Sequence, residues 1–320
     1  MFGFFEKKFD PTRDLGDLQG RVVVVTGANG GIGYSTAKFL AFAGATVFLG
    51  ARTEEKGRRA VESLTRELSE LGGKDGNLRD GGQARPGTVE WFWCDIATPE
   101  KARRSAEGLL ERVEGKEGRL DVLVNNAANH FGTFQFTQTL LPLLIKTSEE
   151  PGSDVRIVSL SSDVHRQGLG ASSIINFKTL DEFKKMYENE TVPWMARYGV
   201  SKLAVIMSSK ALQRRLTASN SKIICITLHP GLVYTTNHLR FPFARVVGFI
   251  AWLFFKPQDE GAYNSCFAAA SPVVRQEEEK YKGAYLMPVG RITDPARVAL
   301  NEDVQDDLWE TTERYLKDHA

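Results

Sequence analysis

The sequence predicts an α/β protein built on a doubly wound parallel sheet, and three observations carry that prediction. Val22 to Val25 is an unbroken valine run, too apolar for a strand with one wet face and suited to one covered by helices on both sides. The run stops at Thr26-Gly27, glycines recur at Gly30, Gly31 and Gly33, and helix-forming sequence follows. A strand, a glycine turn and a helix together offer backbone N–H groups and a positive helix end to a pyrophosphate. Apolar strands and helical stretches then alternate along the chain, and repeated β–α units wind right-handedly into a parallel sheet.

The elements follow in order. An aromatic N-terminal arm, residues 1–17 with Phe2, Phe4, Phe5 and Phe9 beside Lys7 and Lys8, reads either as a segment packed on the body or as a membrane-interface anchor. After the first strand, a helix is predicted from Tyr34 to about Phe42, then a strand over Thr46 to Leu49 and a helix from Glu54 to Leu71. Residues 72–87, GGKDGNLRDGGQARPG, read as a mobile surface insert and not as a domain boundary, because the alternation resumes after them. Val89 to Cys94 is the third strand, and Pro99 opens a helix to about Val113, in the first-turn position that proline favours. Strands follow at Leu120–Val124 and Val155–Leu160, with a helix of about Phe131 to Lys146 between them. A long helix covers Trp194 to Leu216, then a strand Ile223–Leu228, a helix Gln258–Ser271 and a last strand Gly283–Met287. In the closing helix, Asp303 to Lys317, the side chains of Leu308, Trp309 and Leu316 are expected to cover the sheet edge. Glu277 to Lys280 reads as a solvated loop.

Composition narrows the class. The chain has 320 residues and 42% hydrophobic content, ample for one large core. A net charge of +1 gives no reason to expect a nucleic acid partner. Cys94, Cys225 and Cys266 are far apart in apolar surroundings, so they read as reduced core thiols of an intracellular protein; no metal site is expected. No signal peptide is visible, which leaves the Asn189-Glu190-Thr191 sequon unused.

The motifs TGANGGIG, NNA at Asn125 to Ala127, Ser161-Ser162, YGVSK at Tyr198 to Lys202 and HPG at His229 to Gly231 occur in one order across nearly the whole chain. In that order they resemble the short-chain dehydrogenase/reductase family, and SSDVH, LHPGLVYTTN and DEGAYNS are most similar to its retinol dehydrogenase-like branch and fungal relatives. The resemblance implies a Rossmann-type single domain, with Gly27, Asn29, Gly31, Ile32, Gly33, Asn125 and Asn126 around a nicotinamide dinucleotide. It also implies that Asp95 contacts the adenine, that Thr235 holds the carboxamide, and that residues 232–257 form a lid over the substrate. Ser162, Tyr198 and Lys202 are the implied catalytic residues, with Asn129 as a fourth; Tyr198 and Lys202 would also contact the cofactor, Lys202 through the nicotinamide ribose.

The chemistry of that set follows from the side chains. Tyr198 and Lys202 are four apart on a predicted helix and share a face. A free tyrosine titrates near about 10, and a neighbouring ammonium favours phenolate, so Lys202 is expected to lower the Tyr198 pKa. Tyr34 and Lys38 repeat the Y-x-x-x-K spacing just after the glycine turn and are a decoy by position. Arg52 stands at the end of the second strand with no acidic residue before it, which favours NADP over NAD.

Two features set this chain apart. The family implied by the motifs has a loop and the opening turns of a helix between NNA and its helical asparagine, whereas here only Ala128 separates Ala127 from Asn129. Phe241 to Phe255, FPFARVVGFIAWLFF, is strongly apolar but too short in its uncharged part to span a bilayer. It suits a lid over a lipophilic carbonyl or alcohol; a membrane-surface contact or a homodimer contact through 241–255 is the competing reading. The sequence therefore predicts an NADP(H)-dependent oxidoreductase of small lipophilic alcohols, aldehydes or ketones, cytoplasmic or peripheral on internal membranes. The rival is a dinucleotide-binding protein without turnover, acting as a sensor or partner. An extended-family sugar-nucleotide enzyme is disfavoured by the short lid.

Overall fold

The valine run forms the middle of the sheet. The computed structural model describes residues 9–74, 86–127, 130–167, 175–188, 190, 192–231 and 258–319. In it β1 (Val22–Val25) pairs in parallel with β2 (Thr46–Ala51) on one edge and β4 (Val122–Asn125) on the other. Beyond them lie β3 (Val89–Trp93), β5 (Arg156–Leu160), β6 (Ile224–Leu228), β7 (Tyr285–Met287) and β8 (Arg291–Ile292), in the order β3-β2-β1-β4-β5-β6-β7-β8. The β7–β8 pair is antiparallel, so the sheet is parallel except at that edge. Strand order reverses between β1 and β4, and the crevice at their carboxyl ends is where such sheets bind ligands.

Alternation along the strands feeds two cores. Val23, Val25, Val47, Leu49, Val122 and Val124 face the helices α1 (Gly31–Phe42) and α2 (Glu54–Lys74) and the later α8 (Gln258–Ala270). Val22, Val24, Phe48, Leu123 and Ile157 face α3 (Pro99–Lys116), α4 (His130–Ser148) and α7 (Pro193–Ala218). Short helices α5 (Val164–Gln167) and α6 (Asp181–Lys184) lie between β5 and α7, and α9 (Pro272–Gln276) and α10 (Glu278–Tyr281) between α8 and β7. The chain closes with α11 (Glu302–His319).

Several expectations are corrected. The insert expected at 72–87 is narrower, because α2 continues to Lys74; extending an existing helix needs no new nucleus and tolerates a glycine pair. Its last residues are framework: Gly87 N–H donates to Ala41 O at 2.8 Å, and a Cβ there would come within 1.9 Å of Ala45 O. Glu278 to Lys280, expected in a solvated loop, belong to α10, where Glu278 and Glu279 occupy the first turn and Lys280 the last, as the helix dipole favours. The closing helix lies against α7, and its Leu308 shares a buried cluster with Tyr285 of β7. Trp309 packs on Phe134 of α4 at 4.7 Å between ring centroids and beneath Arg215 of α7, while Leu308 joins a cluster with Leu203 and Met207. The arm is seen from Phe9, whose ring meets Tyr263 and Phe267 edge-on; Phe2, Phe4 and Phe5, the 75–85 part of the insert, and the lid at 232–257 lie outside the described residues.

His130 is the keystone of the α4–α7–α11 packing. Its ring stacks on Phe183 at 5.4 Å, Nε2 is 2.7 Å from Thr312 Oγ1 and Nδ1 is 3.4 Å from Ser208 Oγ. Burial drops its pKa from 6.5 to about 3. The unfolded chain therefore takes up a proton below its ordinary pKa that the folded chain refuses, so this histidine's contribution is intact above that value and is lost as the pH falls. The loss is about 1.4 kcal/mol per pH unit, or about 2 kcal/mol between pH 6.5 and pH 5. Urea unfolding at pH 7 and pH 5 should show this loss in the native sequence and a clearly smaller one in His130→Gln. Equal pH dependence in the two proteins would refute it.

Candidate active site

Three segments meet at the carboxyl ends of β1, β4 and β5. The glycine turn leaves β1 with Gly27 and Gly31 at φ of +62° and +60°, the left-handed region that glycine alone enters freely. Space is equally restrictive at Gly33, where a Cβ would lie 2.6 Å from Asn126 Nδ2 and 2.7 Å from Gly27 O. Asn126 braces the turn, its Nδ2 donating to the carbonyls of Thr26 and Gly27 at 3.0 and 3.2 Å, and Ala127 N–H donates to Thr26 Oγ1 at 3.1 Å. Asn29 and Gly30 are exposed and Ile32 is half-buried. α1 has no side-chain cap and no acid in its first turn, so none of its own side chains competes with an anion for the opening N–H groups. A cradle that side chains would fill, ending in an uncapped helix, fits a dinucleotide's phosphates.

The rim beside the cradle holds the remaining cofactor candidates. Arg52 is exposed directly after β2, a strand without a carboxylate. Asp95 follows β3; its Oδ1 accepts Ala97 N–H at 3.1 Å and Oδ2 sits 3.1 Å from Lys101 Nζ. Asn125 points the other way. Its side chain is buried, and Nδ2 donates to Thr137 Oγ1 at 3.0 Å and Ser159 Oγ at 3.3 Å, so it ties α4 to β5 beneath the crevice. Asn129 and Thr235 lie outside the described residues.

The structure brings Ser162, Tyr198 and Lys202 together. β5 ends in Ser161-Ser162, and the two hydroxyls divide the work: Ser161 Oγ donates to the backbone carbonyl of Lys202 at 2.9 Å, pinning α7 to the strand end. Ser162 is hydrogen-bonded to the Tyr198 side chain. Lys202 is buried, with Nζ donating to Leu160 O at 3.1 Å and lying 5.4 Å from the centre of the Tyr198 ring. Burial pushes its amino group down to about 8.

One expectation fails here. The Tyr198 phenol lies above its ordinary pKa, because burial of the hydroxyl outweighs the Ser162 hydrogen bond that lowers it. Lys202 sits against the ring and donates to Leu160 O, so its charge does not offset that desolvation. A phenol held protonated at neutral pH is a proton donor, the form that carbonyl reduction requires.

Sequence reasoning missed the residues that hold this corner. His165 Nδ1 is 2.7 Å from Ser162 O, and Nε2 accepts Ala296 N–H at 3.0 Å. That pair of bonds fixes the neutral tautomer with the proton on Nδ1, and burial lowers its pKa. Asn264 Nδ2 donates to His229 O and Leu286 O at 2.8 and 3.3 Å while its Oδ1 accepts Gly290 N–H at 2.9 Å. The stretches SSDVH and DEGAYNS contain both residues, yet only the folded distances give them a task. The decoy is resolved: Tyr34 donates to Glu67 at 2.6 Å and Lys38 to Asp259 at 2.6 Å.

Comparison with known proteins points to the same fold. Residues 21–129 match the family described as short chain dehydrogenase. The chain is 37% identical to a short-chain dehydrogenase/reductase of Armillaria gallica, over 95% of this chain and 95% of that protein. It is 32% identical to retinol dehydrogenase 14 of Mus musculus, over 94% of this chain and 87% of that one. Among solved structures it is similar to L-sorbose reductase from Gluconobacter frateurii complexed with NADPH and L-sorbose, at a TM-score of 0.60 and 20% identity, covering 87% of this chain and 97% of that one. At that identity the likeness is one of fold.

Proposed function

We propose a reaction for this chain from one premise: it belongs to the short-chain dehydrogenase/reductase family. It is an oxidoreductase that uses a nicotinamide dinucleotide. The reaction we assign is interconversion of a lipophilic alcohol with its aldehyde or ketone, with NADP(H) preferred. The observation that carries it is the hydrogen-bonded Tyr198–Ser162 pair, with Lys202 under the phenol ring. When bound, the nicotinamide supplies or accepts the hydride. Tyr198 gives its proton to the substrate oxygen in reduction and recovers it in oxidation, while the Ser162 hydroxyl donates to that oxygen and fixes it beside the phenol. Lys202 would bond the nicotinamide ribose. Retinol dehydrogenase 14 carries a lipophilic alcohol in its name, which supports an apolar substrate here. An intracellular protein, cytoplasmic or peripheral on internal membranes, fits this reading; among the described residues no helix is long and apolar enough to cross a membrane.

Turnover with a panel of hydrophobic aldehydes and NADPH tests the assignment, and a panel without any activity rejects it. Arg52 gives a second expected result. Its exposed guanidinium suits the extra phosphate of NADP, so NADPH should bind at least about tenfold more tightly than NADH, or roughly 1.4 kcal/mol. Arg52→Asp should reverse the order. Calorimetry giving equal affinities for the unmodified protein would reject the preference.

A second reading is favoured by one observation. β4 ends at Asn125 and α4 begins at His130, a link of four residues where the family resemblance implies a loop and the opening turns of a helix. A dinucleotide-binding protein of low activity, serving as a sensor or partner, would bind NADPH and leave the aldehyde panel untouched.

A further inference from the structure

The turn that carries Ser162 is held by the residues that follow it. Val164 N–H donates to Ser162 Oγ at 3.4 Å. The Ser162 carbonyl accepts the His165 backbone N–H at 3.2 Å and the His165 Nδ1–H at 2.7 Å. The first bond occupies a lone pair of the hydroxyl and leaves its hydrogen for Tyr198 or a substrate oxygen. The other two fix the peptide that leaves the serine.

His165 carries this grip to a remote part of the chain. Its ring is fully buried, edge-on to Tyr285 of β7 at 5.1 Å. Nε2 accepts the N–H of Ala296 at 3.0 Å, the residue that opens the 3-10 turn Arg297–Leu300. Ala299 of that turn is buried in one cluster with Leu203 of α7 and Leu308 of α11. Arg166 repeats the link, donating to Asp294 O. Only a neutral ring with its proton on Nδ1 satisfies both neighbours, because a cationic ring would turn Nε2–H against Ala296 N–H. The charges around the ring favour that form. Asp163, which would attract a cation, is bonded to Arg166 Nε at 2.8 Å, while Arg166 and His229 oppose one. The Asp294 carboxylate acts on Lys210 of α7. The same helix packs on α5 and brings Tyr198 and Lys202 beside Ser162.

We propose that His165 is a positioning residue of the reaction: its neutral ring locks the Ser162 turn to the Ala296 segment, and protonation of the ring releases Ser162 from Tyr198. The inference rests on the reading that Ser162 and Tyr198 act on a carbonyl, and it names what keeps the serine in register. A misplacement of about 1 Å costs up to about a hundredfold in rate. The cofactor cradle is braced from β1 and β4, so loss of the ring acts on turnover and not on NADPH. Burial lowers the His165 pKa from 6.5, so the lock is closed at neutral pH and opens as the pH falls below that value.

His165→Asn, His165→Gln and His165→Phe, assayed beside the native chain with NADPH and a hydrophobic aldehyde from pH 5 to pH 8, test it. Asparagine places an amide N–H where Nδ1–H stands, glutamine places an acceptor near Nε2, and phenylalanine supplies neither. At neutral pH, kcat should fall about thirtyfold in the Gln and Phe proteins, with the aldehyde KM within about threefold of native. His165→Asn should recover to within about threefold of the native kcat, and calorimetric NADPH affinity should stay within about twofold throughout. The native kcat should decline on the acid side of pH 6.5 and that of His165→Asn should not. Glutamine carries the comparison should the Phe chain not fold. Equal kcat in native and Gln proteins, equal losses in Asn and Gln, or an acid limb that persists in His165→Asn overturns the lock. Absence of turnover in every protein, the native chain included, rejects the reading of the reaction instead. Crystal structures of the native and Gln proteins then decide the lock alone: Ser162 Oγ moved out of hydrogen-bond reach of Tyr198 in His165→Gln upholds it, and an unmoved serine overturns it.

Discussion

Tyr198→Phe should reduce turnover by about a thousandfold while leaving NADPH affinity within about a factor of two. The substitution removes the phenol proton and the hydrogen bond with Ser162 and nothing else, because the ring that lies 5.4 Å from Lys202 Nζ is kept. Ser162 can still donate to a carbonyl oxygen, but the phenol that supplies the proton is gone. The cradle around Gly27 and Gly33 is braced by Asn126 and Thr26 from the β1 and β4 sides, so the cofactor should not register the change. Tyr34→Phe is the control. Its hydroxyl bonds Glu67 of α2, and losing that partly buried bond should cost about 1 kcal/mol of stability and none of the rate. Single-turnover absorbance of NADPH separates the two proteins. A Tyr198→Phe protein that keeps more than a few per cent of the native rate would mean that another group is the acid.

What the sequence could and could not reveal divides along a physical line. Strands such as Val22–Val25 and Ile224–Leu228 are legible because burial on both faces demands an uninterrupted β-branched or apolar run. The glycine turn is legible because Gly27 and Gly31 adopt backbone angles that other residues avoid. Tyr198 and Lys202 are legible because helical spacing is local. The rest depends on partners far along the chain. Nothing near Gly87 announces that Ala45 O will press against it, and nothing near His165 announces Ala296. The same holds for the direction of the Tyr198 pKa. Spacing alone sets a lysine near a phenol, but only the fold decides that the amino group donates to Leu160 O while the hydroxyl is desolvated. The two-residue β8 is too short to carry an alternation. Asn125 shows the remaining limit: the motif placed it at the cofactor, and its bonds to Thr137 and Ser159 place it below.

Lengthening the connection between β4 and α4 should raise turnover by about a hundredfold and leave NADPH affinity unchanged within about threefold. The start of α4 is fixed from both directions. Gly132 lies so close to the β3–α3 connection that a Cβ would come within 1.9 Å of Ile96 O, and His130 is locked to Thr312 and Ser208. With β4 ending at Asn125 and α4 beginning at His130, four residues join them, fewer than the loop and opening helical turns that the family pattern has there. The family pattern places its fourth catalytic asparagine inside such a helix, where it supports proton relay and forms one wall of the substrate site. Grafting the loop and opening helical turns of a close relative between Ala127 and Asn129 should therefore recover general acid–base catalysis, a contribution of about a hundredfold or more. The cradle is insulated from the graft, since Asn126 and Ala127 bond back to Thr26 and Gly27 upstream of it. Steady-state rates with a hydrophobic aldehyde, alongside calorimetric NADPH affinities, give the comparison. An ungrafted chain already turning over at about ten per second, with no gain on grafting, would show that Tyr198, Ser162 and Lys202 suffice without the longer helix.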